Sequence, residues 1–200
     1  MALTDHNSAK NCPAFDQACR KEGIIPLFGA EVTSREEVHL LALFGSLSEA
    51  LGFDDWVYNL LPNIPNDPDR FGDQVVVNLE EEILFEVEKL LLPGIDAAMD
   101  EIEAEVHRRG GLFIPAHIDR SSYSMFSQLG FLPEGDYDAV EITRWPPPPG
   151  ADKYSLVCDS DAHYLEEIGR RTFLFEAHEP SFATLTESLS AGRTDLSIQP

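Results

Sequence analysis

The stretch Gly29-Ala-Glu-Val-Thr-Ser-Arg-Glu-Glu-Val-His-Leu-Leu-Ala-Leu-Phe44 carries the pattern on which the predicted fold depends. Apolar residues precede Glu31 and follow His39, which predicts two buried strands joined by a short polar turn. Such a pair brings Glu31 and His39 to the same end of a sheet, where a carboxylate and an imidazole make a suitable pair of metal ligands. Taken alone, the two residues fit a solvated strand end better. The argument therefore depends on whether similar groups recur at other strand ends.

Composition limits the classes of partner. The chain has 200 residues, enough for one domain over residues 1–200 with a sizeable core, and 43% of them are hydrophobic. Acidic residues outnumber Lys and Arg by 36 to 14, giving a formal charge of −22. We therefore expect no binding to duplex nucleic acid and no binding to a membrane. A small phosphorylated substrate is compatible with this charge only where bound cations reverse the local field.

Two features predict a cytoplasmic protein. No apolar run has the length of a membrane span, and the first residues contain neither the basic region nor the apolar region of a signal peptide. The three cysteines, Cys12, Cys19 and Cys158, are odd in number and have no Cys-x-x-Cys spacing. Free thiols in a reducing compartment therefore fit better than disulfides or a thiolate zinc site.

Predicted strands and helices alternate along the chain. Helices are predicted over residues 9–22, 47–61, 79–109, 121–129 and 181–191, and further strands over 112–116, 139–142, 155–158 and 172–175. The third helical region is interrupted near Pro93-Gly94, and its first turn contains Glu80-Glu81-Glu82, which we interpret as a solvated face. This alternation predicts an α/β fold with a largely parallel sheet.

Six residues that can bind metals adjoin apolar strands in five separate segments. They are His6, Glu31, His39, His117, Asp161 and His163. One such placement is common, but six suggest a shared site, because functional groups gather at the carboxyl ends of parallel strands. Imidazole and carboxylate ligands without thiolates suit zinc, manganese or iron in a hydrolytic centre. His107 and His178 lack a preceding apolar strand, and we assign them to structure.

Five segments, in this order, resemble the motifs of the PHP (polymerase and histidinol phosphatase) domain family. They are Thr4-Asp5-His6-Asn7, Gly29-Ala30-Glu31, Glu37-Val38-His39, Pro115-Ala116-His117 and Ser160-Asp161-Ala162-His163. The resemblance covers nearly the whole chain. It implies a distorted seven-stranded β/α barrel that binds up to three divalent metal ions and hydrolyses a phosphoester with a metal-activated water.

The resemblance also implies how the ligands are shared. Glu31, His39 and His117 would form one nearly complete metal site, Asp161 would share Glu31 in a second, and His6 and His163 would belong to a third. The His-x-His motif on the family's first strand has no counterpart in this sequence. We therefore expect one or two bound ions, a missing first strand, and a second copy of the chain covering the resulting gap as a homo-oligomer.

These observations favour a metal-dependent phosphoesterase, either a phosphatase or a phosphodiesterase. Glu31, Asp161 and His163 are the candidate catalytic residues, and Arg120 and Arg144 are candidate phosphate contacts. The alternative is a catalytically inactive domain that binds metal for structure or assembly. An amidohydrolase would use similar ligands with a bridging lysine, but no lysine of the chain ends a predicted strand.

Overall fold

The computed structural model of the protein describes residues 1–196. Its strands are β1 Ala2–Leu3, β2 Leu27–Thr33, β3 His39–Phe44, β4 Val75–Val77, β5 Ile83–Glu86, β6 Leu112–Pro115, β7 Val140–Glu141, β8 Leu156–Val157, β9 Phe173–Phe175 and β10 Thr194–Leu196. Its helices are α1 Cys12–Lys21, α2 Leu47–Leu60, α3 Pro68–Phe71, α4 Met99–Arg108, α5 Met125–Gln128 and α6 Phe182–Ser190. Short 3-10 turns cover Ala151–Lys153 and Leu165–Glu167.

The central sheet contains four strands in the order β1-β2-β3-β6. β1 runs parallel to β2, whereas β3 is antiparallel to both of its neighbours. β4 with β5 and β9 with β10 form antiparallel pairs, and β7 with β8 forms a parallel pair. The fold is therefore mixed α/β, as predicted, but the sheet is not largely parallel. Within residues 1–196 the strands do not close into a barrel, so the expected seven-stranded barrel is not confirmed.

The central sheet is buried on both faces because its side chains alternate between two apolar cores. Leu40, Ala42 and Phe44 of β3 join the larger core, which includes residues of α2 and α4. Leu41 and Leu43 point to the opposite face and join a smaller core that contains Leu185 and Leu189 of α6. Strands covered on both faces have continuous apolar sequences, which explains the run that follows His39.

The helix predicted over residues 79–109 is wrong for its first twenty residues. Glu80 to Glu82 lie in the turn of the β4–β5 hairpin, where Asn78 Oδ1 accepts hydrogen bonds from the backbone N–H groups of Glu80 (3.1 Å) and Glu82 (2.9 Å). Glu81 has φ +64°. An Asn that binds the backbone two residues ahead stabilises a turn against a helix, and strand β5 follows with all four residues exposed. Only α4, the last part of the region, is helical.

The chain between β5 and α4 is irregular because tertiary contacts hold it against the central sheet. Asn7 Nδ2 donates hydrogen bonds to the carbonyl oxygens of Leu91 (2.7 Å) and Pro93 (3.0 Å). A side chain at Gly94 would meet the Ser34 carbonyl oxygen, since a Cβ there would lie 2.5 Å from it. The Ile95 N–H donates to the carbonyl of Thr33 at 2.9 Å. The periodicity of the local sequence does not reveal these long-range contacts, which explains why a helix was predicted here.

The other predicted elements are confirmed with shorter bounds, and the antiparallel pairing of β2 with β3 brings Glu31 and His39 together as expected. Strand β10 was not predicted. Within the described part of the chain, no helix has the length and hydropathy needed to cross a membrane.

Candidate metal centre

The N-terminal segment places His6 beside Glu31. After β1 the chain continues alongside β2 and forms a parallel bridge between His6 and Glu31. The Asn7 N–H donates to the Glu31 carbonyl (2.9 Å), and the Glu31 N–H donates to the Asp5 carbonyl (3.1 Å). This pairing brings His6 Nδ1 within 3.2 Å of Glu31 Oε2.

Strands β3 and β6 bring two more imidazoles to the same carboxylate. His39 pairs with Thr33 at the end of the hairpin, and its carbonyl accepts a hydrogen bond from the Ala116 N–H (3.0 Å), which sets the position of His117. His39 Nδ1 and His117 Nε2 each lie 3.1 Å from Glu31 Oε1. Three imidazoles, carried by three different segments, therefore surround one buried carboxylate.

The electrostatics keep this carboxylate ionised. Burial alone raises the pKa of Glu31, but the hydrogen bonds from His117 and His39 and the charges of His39 and His6 outweigh it and hold the pKa well below its ordinary value. The pKa of His6 is lowered, mainly by burial. An ionised carboxylate and a neutral imidazole are the forms that bind a metal ion.

The loop after β8 completes a cavity of about 220 Å³ above Glu31. The lining residues are His6, Glu31, His39, His117, Arg120, Ser122, Tyr123, Asp161 and His163. All six predicted metal ligands thus face one space. Arg120 Nη1 contacts Asp161 Oδ2, and His163 Nδ1 lies 3.2 Å from the Asp161 carbonyl.

Arg144 does not belong to this group, in contrast to the sequence prediction. Its side chain is exposed, and its Nε lies 3.7 Å from Asp119 Oδ2. The Thr143 and Arg144 N–H groups also bind the Asp119 carboxylate, which turns this segment away from the cavity. The three-residue spacing from Glu141 carried no information about this turn.

The donor set fits a divalent metal ion. One donor atom each from His6, Glu31 and His39 lie within 4.8 Å of one another. His117 adds a nitrogen that faces the same carboxylate, while its other ring nitrogen, Nδ1, is buried with no hydrogen-bond partner among the described residues. Nitrogen and oxygen donors without sulfur suit zinc, manganese or iron.

Tyr123 is a cavity residue that the sequence prediction missed. Its ring stacks on His39 with centroids 4.7 Å apart and an interplanar angle of 14°, and its carbonyl accepts the His39 N–H at 2.9 Å. Its φ of +52° lies in the left-handed region, which is unusual for an aromatic residue. A tyrosine in a serine-rich loop gives no sequence signal for this position.

Two carboxylates beside the site, the buried Glu141 and the half-buried Asp159, were also missed. Burial, followed by the charge of Asp159, raises the pKa of Glu141 well above its ordinary value. Burial likewise raises the pKa of Asp159. Glu141 ends an apolar strand just as His117 follows one. The strand-end rule that identified His117 could therefore have found it.

Comparisons with known proteins find one matching family model and several similar folds. A family model described as PHP-associated matches residues 151–194. The lesion-specific endonuclease PfuEndoQ from Pyrococcus furiosus superposes with a TM-score of 0.66 at 18% identity, over 98% of this chain and 48% of that chain. A protein from Bifidobacterium adolescentis proposed to be a metal-dependent phosphoesterase gives 0.55 at 16% identity, over 97% and 86% of the two chains. A comparison with curated proteins finds no match.

A second Endonuclease Q structure corrects the expectation about partners. It contains a 27-mer duplex substrate with an abasic lesion at the active site, and it matches with a TM-score of 0.62 at 17% identity over 95% of this chain. The expectation of no duplex binding, drawn from net charge, is therefore wrong, since a protein of this fold binds a duplex. The chain spans about half the length of the two endonuclease chains, 48% and 47%. At these identities the superpositions show the fold alone.

Proposed function

We propose that this chain, whose motifs and fold resemble those of the PHP-domain family, hydrolyses a phosphoester with the help of divalent metal ions. One observation carries this proposal: three imidazoles from separate segments converge on the buried Glu31 carboxylate at 3.1 to 3.2 Å, at the base of an open cavity. Burying a charged carboxylate costs free energy because it removes the charge from water, and a bound cation would offset this cost.

The roles of the residues follow from their positions. Glu31, His39 and His117 would hold one ion, with Glu31 shared toward Asp161, and His6 and His163 would contribute to further coordination. A bound divalent ion supplies Lewis acidity and a water nucleophile at neutral pH. Glu31 remains ionised in this environment, so it can hold a cation without first losing a proton.

The rim of the cavity would handle the substrate. Arg120 contacts Asp161 and lies where a phosphoryl oxygen would enter, so it is the candidate phosphate contact. The half-exposed His163 lies at the rim, where its imidazole would give a proton to the leaving oxygen in the state in which it holds no metal ion. A space of about 220 Å³ accommodates a phosphoryl group but leaves a nucleoside outside. The rest of the substrate would therefore lie across Tyr123.

Metal content and hydrolysis test the proposal together. Protein prepared without chelator should retain at least one divalent ion per chain by elemental analysis, and less than about a tenth of an equivalent would contradict the site. Hydrolysis should then be measured with p-nitrophenyl phosphate, its bis-ester and a duplex with one abasic lesion, with and without added manganese. His117→Ala should abolish activity on every substrate that the protein accepts, whereas His107→Ala should not.

A catalytically inactive, metal-binding domain is the alternative. It is favoured by the finding that, among residues 1–196, only His6, Glu31 and His39 bring three donor atoms within 4.8 Å of one another. In that case the protein would bind its metal, gain thermal stability from it, and hydrolyse none of the three substrates. A metal-dependent rate that disappears in His117→Ala would exclude this alternative.

A further inference from the structure

The backbone of His117 adopts a conformation that needs support. Its φ is +31°, in the region that residues with a Cβ rarely adopt. Such conformations cost free energy and persist where surrounding contacts hold them. The His117 N–H donates a 2.7 Å hydrogen bond to Glu141 Oε2, so the carboxylate binds the backbone of the strained residue itself.

Glu141 is fully buried, which is unusual for a glutamate. It ends β7, it is 1% exposed, and its other oxygen, Oε1, has no hydrogen-bond partner among the described residues. Its carbonyl accepts the Ile118 N–H at 2.9 Å, which joins the chain after His117 to the end of β7. Glu141 therefore accepts the N–H groups of both His117 and the residue that follows it. Burial of a carboxyl group with one unpaired oxygen costs folding free energy, which a residue that served packing alone would not incur.

The same arrangement occurs a second time at the site. Asp161 has φ +44°, and its N–H donates a 2.8 Å hydrogen bond to Asp159 Oδ1. In both cases a predicted ligand has a left-handed backbone, and a neighbouring carboxylate that is not a predicted ligand binds its N–H group. This repetition indicates that the two carboxylates orient ligands.

We propose that Glu141 is a positioning residue that holds the His117 backbone so that the His117 imidazole faces Glu31. The proposal rests on the proposed metal-dependent function, because it concerns one ligand of that centre. Without the acceptor, the His117 backbone can relax toward negative φ, and the imidazole turns away from Glu31. The competing assignment is that the free Oε1 makes Glu141 a metal ligand itself.

Two substitutions separate these assignments. Glu141→Gln keeps a carbonyl oxygen that can accept the His117 N–H but removes the carboxylate, whereas Glu141→Leu keeps the size and removes the acceptor. Mn²⁺ affinity should be measured by calorimetric titration. We expect the Gln variant to remain within about threefold of the wild-type affinity and the Leu variant to lose about 10- to 100-fold, as is typical when an orienting partner is removed.

A control is available at Asp138, two residues before β7. Asp138 Oδ2 accepts the N–H of Phe113 at 2.8 Å, near the far end of β6 from His117. Asp138→Leu removes this carboxylate-to-backbone bond and the contact of the same oxygen with His107 Nε2 (2.9 Å), neither of which involves a proposed ligand, so it should leave Mn²⁺ affinity unchanged. Thermal melting of the metal-free variants shows which are folded. Should Glu141→Leu not fold, Glu141→Ser replaces it, since its hydroxyl is too short to reach the His117 N–H.

The outcomes are decisive. Equal losses in the Gln and Leu variants would make Glu141 a ligand and overturn the proposal, and wild-type affinity in both would also overturn it. The His117 ring signals in the NMR spectrum of metal-free protein give an independent readout. They should move in the Leu variant and stay in the Gln variant. If the wild type binds no Mn²⁺, the proposed function fails, and this spectrum alone decides the positioning role.

Discussion

The candidate centre has a strand half and a loop half, and the two are built differently. The strand half consists of Glu31, His39 and His117 on or directly after β2, β3 and β6, with side chains 9%, 12% and 2% exposed. The loop half consists of Asp161 and His163 after β8, where the His163 side chain is 57% exposed. Ladder hydrogen bonds and two apolar cores fix the strand half, so its ligand separations depend on the whole fold.

The loop half is held by side chains instead. Arg170 Nε donates to the Ser160 carbonyl at 2.6 Å, and Arg171 Nε donates to the Asp159 carbonyl at 2.8 Å. The first of these hydrogen bonds is exposed to solvent and the second is partly buried, so neither has the cover that the two apolar cores give the strand half. We therefore expect the strand half to determine metal affinity and the loop half to adapt to the substrate.

Among the substitutions in the strand half, we expect the largest loss of activity when Glu31, the carboxylate that three imidazoles face, is replaced. Glu31→Gln removes the charge that three imidazoles face, so we expect at least about a 1,000-fold loss of hydrolysis, or about 4 kcal/mol of barrier. Metal affinity should fall about 100-fold or more in the same variant. Steady-state rates and a manganese titration check both values. A variant that retains wild-type affinity would show that Glu31 does not hold the metal.

The second largest effect should separate histidines of the site from structural ones. His117→Ala should remove most bound metal and the thermal stabilisation that bound metal provides by mass action. His107→Ala is the control, because His107 Nε2 bonds to Asp138 Oδ2 at 2.9 Å, away from the cavity. Melting temperatures with and without metal give the comparison. Loss of metal in His107→Ala alone would show that the site has been assigned to the wrong residues.

The sequence predicted the strand half better than the rest of the molecule, for a physical reason. Buried strands leave long apolar runs, and a polar residue next to such a run is conspicuous, which identified Glu31, His39 and His117. Contacts between distant segments determine the strand order, whether the sheet closes into a barrel, and the orientation of Arg144. Such contacts cannot be inferred from a local sequence pattern. The prediction of a helix over residues 79–109 failed at the exposed strand β5, because the apolar residues of this strand are not buried and the residues around it resemble a helix in composition.

The loop half was identified by its position after a predicted strand and by the motif Ser160-Asp161-Ala162-His163, but its connections were not predicted. Nothing local indicates that Arg120 contacts Asp161, since the two residues meet only through the fold. The supporting carboxylates Glu141 and Asp159 were missed because the search was for metal ligands, and these two residues bind backbone N–H groups instead.

Substitutions in and beside the loop half should change substrate binding more than metal affinity. Arg120→Ala should raise KM about tenfold, or about 1.4 kcal/mol of binding, with Mn²⁺ affinity little changed. Arg144→Ala is the matched control, because its exposed guanidinium lies outside the cavity and should leave KM unchanged. A raised KM in both variants would indicate long-range attraction by positive charge and not a contact, and raising the salt concentration would then abolish the difference.

The smallest expected effect concerns acid stability of the strand half. The histidines hold the pKa of Glu31 below its ordinary value of 4.5, so the folded state binds fewer protons there than the unfolded state. Glu31 therefore contributes stability above pH 4.5, and this contribution is lost as the pH falls below that value through the folded pKa. In metal-free protein, denaturant unfolding of the wild type and of Glu31→Gln should differ by about 1 kcal/mol more at pH 6 than at pH 3. The same difference at both pH values would mean that the histidines do not stabilise the ionised carboxylate of the strand half.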